Sequence, residues 1–438
     1  MFNNNINLSK SIHSELSDNC LIKGGTVINL VDGTELNKDI LIVNGVIEKI
    51  EENLNISDNY EVIDASGKYI SVGFFDMHVH FREPGNEQAE NIITGTNGAM
   101  VGGYTGVAMM PNTNPCIDNK FIFNDIKSRC QNLLVDAIQI PAVTVGRKGD
   151  TIVEMAELVE NGAIAFTDDG SGIQKSSSMR GALEYSKMFD VPILVHAQDE
   201  SFESGVMNES INSTILGMAG IPNLSEDTMV ARDILIAEYT DGKAHFQHVS
   251  TKGSVELIRD AKKKGLKITS EVTPHHFSFT DDIIETFSTD YKMAPPLRTR
   301  EDVDAVLEGL KDGTLDAIAT DHAPHAPEQK NVEFDYAPFG TMGIESAFSA
   351  GIKYLVKTDV LDLSSYLKKI VINPRKILNL DYDLLKVGKK ANLTIFDTDT
   401  KWTVDRFKLK SLSRNTCYHG EELDGKVFCV INNNKIYK

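Results

Sequence analysis

Long apolar runs are missing from this chain. None approaches the ~20 residues that a membrane-spanning helix takes, so no membrane partner is expected. Cysteine is sparse: Cys20, Cys116, Cys130, Cys417 and Cys429 are odd in number, scattered, and never form C-x-x-C. That pattern supports neither a disulfide framework nor a thiolate zinc site. Positive charge is also short, with 44 Lys and Arg against 63 Asp and Glu and a net charge of −19. A nucleic-acid surface needs clustered Lys and Arg, so no nucleic-acid partner is expected. A local Arg/His pocket can still take an anionic substrate against that overall field. The opening M-F-N-N-N-I-N-L-S-K has neither the charged start nor the apolar core of a signal peptide, and a cytoplasmic enzyme is the expectation.

What is present is an ordinary globular composition, 41% hydrophobic and 24% charged over 438 residues. That length suits more than one average domain, or one large α/β barrel with an appendage. Residues 1–19 are polar and Asn/Ser-rich and read as a loosely held leader. Residues 20–70 change to short β-like runs broken by D-G and N-G turns. Residues 385–438 repeat that style around Trp402, so the two ends are expected to combine into one small β domain. Between them, residues 71–384 alternate apolar strand candidates with amphipathic helical stretches such as V-E-L-I-R-D-A-K-K-K, the pattern of a parallel sheet. The strand candidates are F-F-D-M-H-V-H, T-G-V-A-M-M-P-N, A-I-Q-I-P-A-V, A-I-A-F-T-D-D-G, V-P-I-L-V-H-A, A-H-F-Q-H-V-S, K-I-T-S-E-V-T-P-H-H and D-A-I-A-T-D-H-A-P-H. Eight such repeats favour a (β/α)8 barrel over an open doubly wound sheet. In such barrels the chemistry sits at the C-terminal strand ends.

The polar residues of these runs fall at those ends. Residues two apart in a strand share a face, which groups His78, His80 and Arg82. One H-x-H can be a strand-end accident, but His196, His248, Asp168, Asp169 and Asp321 recur at other strand ends. A single zinc takes three or four ligands, so this many donors suggests two ions sharing a carboxylate and a hydroxide. Arg82 is placed to hold a carboxylate bidentately. Parity favours Asp169 over Asp168, because Asp169 aligns with the small Thr167 and Ala165. Parity likewise groups Asp321 with Ala317 and Ala319, and pairs His248 with Phe246 while turning His245 to the opposite face, a structural role. His275 and His276 are expected to act locally or behind the ligands, Lys175 to be a loop lysine, and His13 and His419 to have no functional part.

Taken together, D-M-H-V-H-F-R-E-P-G, G-G-Y-T-G-V-A-M-M-P-N-T-N-P, F-T-D-D-G, H-V-S-T-K, T-P-H-H, P-P-L-R, A-T-D-H-A-P-H and A-P-F-G resemble bacterial class I dihydroorotases of the amidohydrolase superfamily. H-x-H is common to that superfamily, whereas H-F-R-E-P-G with M-P-N-T-N-P and T-D-H-A-P-H is specific to this branch. The resemblance implies reversible hydrolysis of the cyclic amide of dihydroorotate to N-carbamoyl-aspartate, in pyrimidine biosynthesis. It implies two zinc ions per chain with a bridging hydroxide: one held by His78, His80 and Asp321, the other by His196 and His248, with Asp169 between them. It further implies that Asp321 shuttles the proton and that Arg82, Asn112 and His325 bind the substrate carboxylate. The backbone around Phe339 and Gly340 lines the pyrimidine pocket. Ala294 stands where the family usually has Asn, so a side-chain contact to substrate is lost there. A homo-oligomer is implied, and association with an aspartate transcarbamoylase is compatible with the resemblance. The rivals are hydantoinase, dihydropyrimidinase and allantoinase, whose substrates do not present that carboxylate, and an inactive scaffolding homologue, which typically lacks metal ligands.

Overall fold

In the computed structural model, residues 10–55, 59–202 and 204–438 are described. Helices and strands are mixed along the whole of that length. Among the described residues, eight strands in the middle of the chain pair in parallel in two groups, apart from a short parallel pair at Met207–Asn208 and Gly220–Ile221: β1 (Phe74–Val79), β2 (Tyr104–Met109) and β3 (Asp136–Gln139) in one, then β4 (Phe166–Thr167), β5 (Ile193–Val195), β6 (Ala244–Phe246), β7 (Ile268–Val272) and β8 (Ala317–Ile318) in the other. Each of the eight apolar runs singled out in the sequence overlaps one of these strands, two of which begin one residue earlier, at Tyr104 and Asp136. The two groups meet at both seams. The His80 N–H donates to the His322 carbonyl at 2.9 Å, next to a parallel bridge between Val79 and His322, and the Thr167 N–H donates to the Pro141 carbonyl at 3.0 Å.

Strand alternation divides the apolar residues between two cores. Phe75, Met77, Ala108, Met110, Ile140, Ala165, Leu194, Ala317 and Ala319 form a small inner cluster. Their neighbours Val107, Phe166, Ile193, Val195, Phe246 and Ile318 face outward and join a larger cluster with helix residues. The helix Lys252–Lys263 shows why these stretches are helical and which side they bury. Thr251 caps it by accepting the Ser254 N–H, Val255, Ile258 and Ala261 form its buried stripe, and Lys262 and Lys263 sit in its last turn, where the helix dipole favours cations. Each large apolar side chain so buried stabilises the fold by roughly 1.5–3 kcal/mol.

Strands from both ends of the chain make a nine-stranded sheet. Its centre is the antiparallel pairing of Leu393–Thr403 with Tyr69–Val72, just before β1 begins. The hairpin from Thr34–Val43 to Val46–Glu51 turns at Asn44 and Gly45, with φ 47° and 73°, the left-handed pair that a tight two-residue turn requires. Residues 10–19 are held more firmly than their composition suggested. Ser14 and Glu15 pair with Ile436 and Lys435, and the Ile12 N–H donates to Asn97 Oδ1 at 3.1 Å. An edge strand supplied by the other end of the chain orders a stretch with few apolar side chains of its own. The first nine residues of the leader lie outside the described residues. Among the described residues, no helix is long and apolar enough to cross a membrane.

Candidate metal centre and substrate cavity

The strand ends bring four imidazoles and two carboxylates into one buried cage. The register of β1 against β2 breaks between Asp76 and Val79. Asp76 fixes that irregular end: its Oδ1 accepts the N–H groups of His78 and Thr320, both at 3.1 Å, and its Oδ2 accepts the Thr320 hydroxyl at 2.5 Å. His78 Nε2 then lies 3.3 Å from Asp169 Oδ2 and 3.5 Å from Asp321 Oδ1, and His80 Nε2 lies 3.2 Å and 3.0 Å from the same two oxygens. On the other side, Asp169 Oδ1 lies 3.4 Å from His196 Nδ1 and 3.6 Å from His248 Nε2, and these two nitrogens are 2.8 Å apart. Asp169 therefore turns one oxygen to each imidazole pair.

The outer ring nitrogens settle which inner nitrogens hold lone pairs. His78 Nδ1 is 2.7 Å from Glu271 Oε1, His80 Nδ1 is 2.8 Å from Asn112 Oδ1, and His196 Nε2 is 2.9 Å from Gln198 Oε1. Each of these oxygens accepts, so in the neutral ring the other nitrogen points a lone pair into the cage. There the lone pairs face carboxylate oxygens, and His78 Nε2 and Asp169 Oδ1 are buried without a hydrogen-bond partner. Such an arrangement is repulsive until positive charge enters it. The proton affinities carry the same imprint. Burial alone would lower the His78 imidazolium, but Asp169, Asp321 and Glu271 outweigh it and raise its pKa well above the ordinary value. Burial alone would raise the Asp169 and Asp321 carboxyls, but the imidazoles, His78 foremost, hold both below the usual carboxylate range. Donor atoms of His78, Asp169 and His248, and of His78, His80 and Asp321, lie close enough together to hold cations. The residues present therefore fit divalent metal ions.

Beside the cage opens a cavity of about 320 Å³, at the small end of ligand pockets. Arg82, Asn112, Ala294, His325, Phe339 and Gly340 all line it, together with His80, Asp169, His196, His248 and Asp321. Arg82 Nε donates to the Pro324 carbonyl at 3.1 Å, which orients the guanidinium and leaves its two terminal nitrogens as donors. Burial lowers its pKa to about 10, so it stays charged at neutral pH. Asn112 spends Oδ1 on His80, so its Nδ2 is the free donor. His325 Nε2 lies 2.7 Å from the Phe339 carbonyl and must carry the hydrogen. Burial, with Arg82 and Lys330 nearby, lowers its pKa to about 3, so the ring is neutral with its lone pair on Nδ1. Arg82, His248 and Asp321 have φ of 60°, 35° and 45°, left-handed values that cost a non-glycine residue roughly 1–3 kcal/mol.

That geometry corrects one sequence argument. Strand parity paired His248 with Phe246, yet Phe246 faces the outer core while His248 enters the cage, because the backbone turns left-handed at His248. His245, assigned to the opposite face, points inward: its Nε2 is 3.2 Å from Glu271 Oε2 and its Nδ1 is 2.9 Å from Thr269 Oγ1. Asp168 accepts the N–H groups of Val143 and Thr144 at 2.8 and 3.0 Å, outside the cage. His276 bonds Thr273 and Pro295, and Lys175 pairs with Asp150 at the surface. Sequence reasoning missed Glu271 and Gln198. A charged residue inside the apolar run I-T-S-E-V was the signal for Glu271, and Gln198 followed His196 at the strand end.

The dihydro-orotase-like family matches residues 67–254. Over 413 residues the chain is 47% identical to a dihydroorotase of Thermoanaerobacter sp. (strain X514), covering 94% of this chain and 95% of that protein. It is 46% identical to a dihydroorotase of Acetivibrio thermocellus, with coverage of 95% and 98%, and 44% identical to one of Geobacter metallireducens, with coverage of 96% and 100%. Among solved structures it is similar to an L-hydantoinase from Arthrobacter aurescens, with TM-score 0.85, 22% identity and 96% coverage of both chains. It is also similar to a dihydropyrimidinase from Brevibacillus agri, with TM-score 0.82, 20% identity and coverage of 95% and 94%. At that identity the solved structures speak for the fold alone.

Proposed function

Since the chain belongs to the dihydroorotase family, we propose that its cage and cavity carry out the family's reaction with the residues described above. The reaction is the reversible hydrolysis of the cyclic amide of (S)-dihydroorotate to N-carbamoyl-L-aspartate, in pyrimidine biosynthesis. We read the eight parallel strands as a closed (β/α)8 barrel, supported by hydrogen bonds across both seams.

The donor set of imidazoles and carboxylates without thiolate suits zinc. His78, His80 and Asp321 would hold one ion and His196 and His248 a second, with Asp169 shared. When bound, the pair supplies an acidified water as nucleophile and a Lewis acid for the amide carbonyl. Arg82, through its two terminal nitrogens, and Asn112, through Nδ2, hold the substrate carboxylate and fix the ring over the cage. His325 completes that wall. Its Nε2 hydrogen is spent on the Phe339 carbonyl, so the neutral ring offers an acceptor at Nδ1 and leaves the charge of the carboxylate to Arg82. Asp321, with Oδ1 turned to His78 and His80, accepts the water's proton at Oδ2 and delivers it to the departing ring nitrogen. Such proton transfer is typically worth ~10²–10⁴-fold.

The observation that carries this reading is the single cavity bounded by both the cage and the donors of Arg82 and Asn112. A carboxylate clamp has no counterpart in hydantoin or dihydrouracil. The test is an absorbance assay of dihydroorotate hydrolysis with hydantoin, dihydrouracil and allantoin in competition. Turnover of dihydroorotate in preference to the others is expected, and preference for a carboxylate-free ring would overturn the reading. The same family reading carries a homo-oligomer, which sedimentation would test.

A further inference from the structure

The segment between the strands Leu393–Thr403 and Glu422–Asn432 leaves the nine-stranded sheet and reaches the wall of the cavity. Its anchors are buried. Glu345 accepts the N–H groups of Lys410 and Ser411, Glu90 accepts that of Leu412, and the Ser413 hydroxyl donates to the Ala89 carbonyl. At its far point stands Asn415, 3% exposed. Asn415 Oδ1 accepts the His325 N–H at 3.0 Å, and Nδ2 donates to the carbonyls of Ala323 and Gly340, each at 3.1 Å. The Asn415 carbonyl in turn accepts the Met342 N–H at 2.8 Å and the Thr341 hydroxyl at 3.1 Å.

Ala323, His325 and Gly340 line the cavity, and Asn415 stands outside that lining. One side chain therefore ties the loop that follows Asp321 to the loop that carries Gly340. The match is demanding: two carbonyls need donors and one N–H needs an acceptor, from one side chain, in a buried place. A primary amide of this length supplies all three, whereas alanine supplies none and aspartate sets a carboxylate against two carbonyl oxygens.

We propose that Asn415 is a positioning residue, which fixes the spacing between the His325 and Gly340 loops and so sets the affinity for the carboxylate end of the substrate. The inference rests on the dihydroorotase reading above. Its test uses the full-length, zinc-loaded chain and measures KM and kcat for dihydroorotate, zinc per chain and the thermal midpoint. Asn415→Ala and the milder Asn415→Ser are to be compared with Ser413→Ala, which cuts another tie of the same segment away from both loops.

The Asn415 variants are expected to raise KM about tenfold, the worth of one or two neutral hydrogen bonds, with kcat within about threefold and zinc content unchanged. Ser413→Ala is expected to lower the thermal midpoint and leave KM alone. An unchanged KM in folded Asn415 variants would overturn the proposal. So would an equal KM shift in Ser413→Ala, which would make the whole segment a structural brace. If the unmodified chain fails to turn over dihydroorotate, the functional reading fails instead.

Discussion

Glu271→Gln is the perturbation that most directly separates a metal cage from an ordinary buried ion-pair network. Glu271 is fully buried between two histidines, with Oε1 2.7 Å from His78 Nδ1 and Oε2 3.2 Å from His245 Nε2. His78 and His245 outweigh burial and lower its carboxyl pKa to about 2, so it is an anion throughout the neutral range. Glutamine preserves the shape, and its Oε1 can still accept from His78. Its amide then meets His245 Nε2, but His245 can exchange tautomers because the Thr269 hydroxyl at Nδ1 donates or accepts equally well. The loss therefore falls on His78, whose charge-assisted hydrogen bond becomes a neutral one. That difference is roughly 1–2 kcal/mol, and groups orienting metal ligands typically contribute ~10–100-fold in metal affinity. Zinc affinity, measured by competition with a calibrated chelator, should fall by about tenfold or more while the fold survives. An affinity equal to that of the unmodified chain would refute the claim that Glu271 sets the basicity of a metal ligand.

Other outcomes follow from the same geometry. Arg82→Met should raise KM for dihydroorotate about 10–100-fold, the worth of charge-assisted hydrogen bonds, and should weaken a carboxylate-free dihydropyrimidine much less. Equal effects on both would make Arg82 structural. Asp321→Asn should lower kcat by ~10²-fold or more in a folded chain, with zinc content measured alongside, and near-normal turnover would remove Asp321 from proton transfer. Burial lowers the His276 pKa to about 4 from 6.5. The unfolded chain therefore takes up that proton first as pH falls, so folding stability declines as pH drops from 6.5 toward about 4. Urea unfolding across that window should show a slope that His276→Gln flattens, and an unchanged slope would assign the acid sensitivity elsewhere.

The parallel strands were legible because each is an apolar run closed by turn or polar residues, with two cores sorted by alternation. Alternation also separates Asp169 from Asp168: Ala165 lies in the inner cluster, and Asp168 caps backbone amides outside the cage. The same rule misplaced only the relative faces of His245 and His248, because it assumes extended backbone to the strand's end and His248 is left-handed. The edge strand at Ser14 was illegible for another reason: its partner lies at the opposite end of the chain. Asn415 was invisible for that reason too, since its three partners belong to loops that only the folded chain brings beside it.

The central claim is that two cations sit on either side of Asp169. Elemental analysis of purified, zinc-reconstituted protein tests it most directly. The account predicts about two divalent ions per chain and a loss of dihydroorotate turnover when chelation removes them. A chain that retains none after reconstitution, or one that turns over dihydroorotate equally well without them, would contradict it.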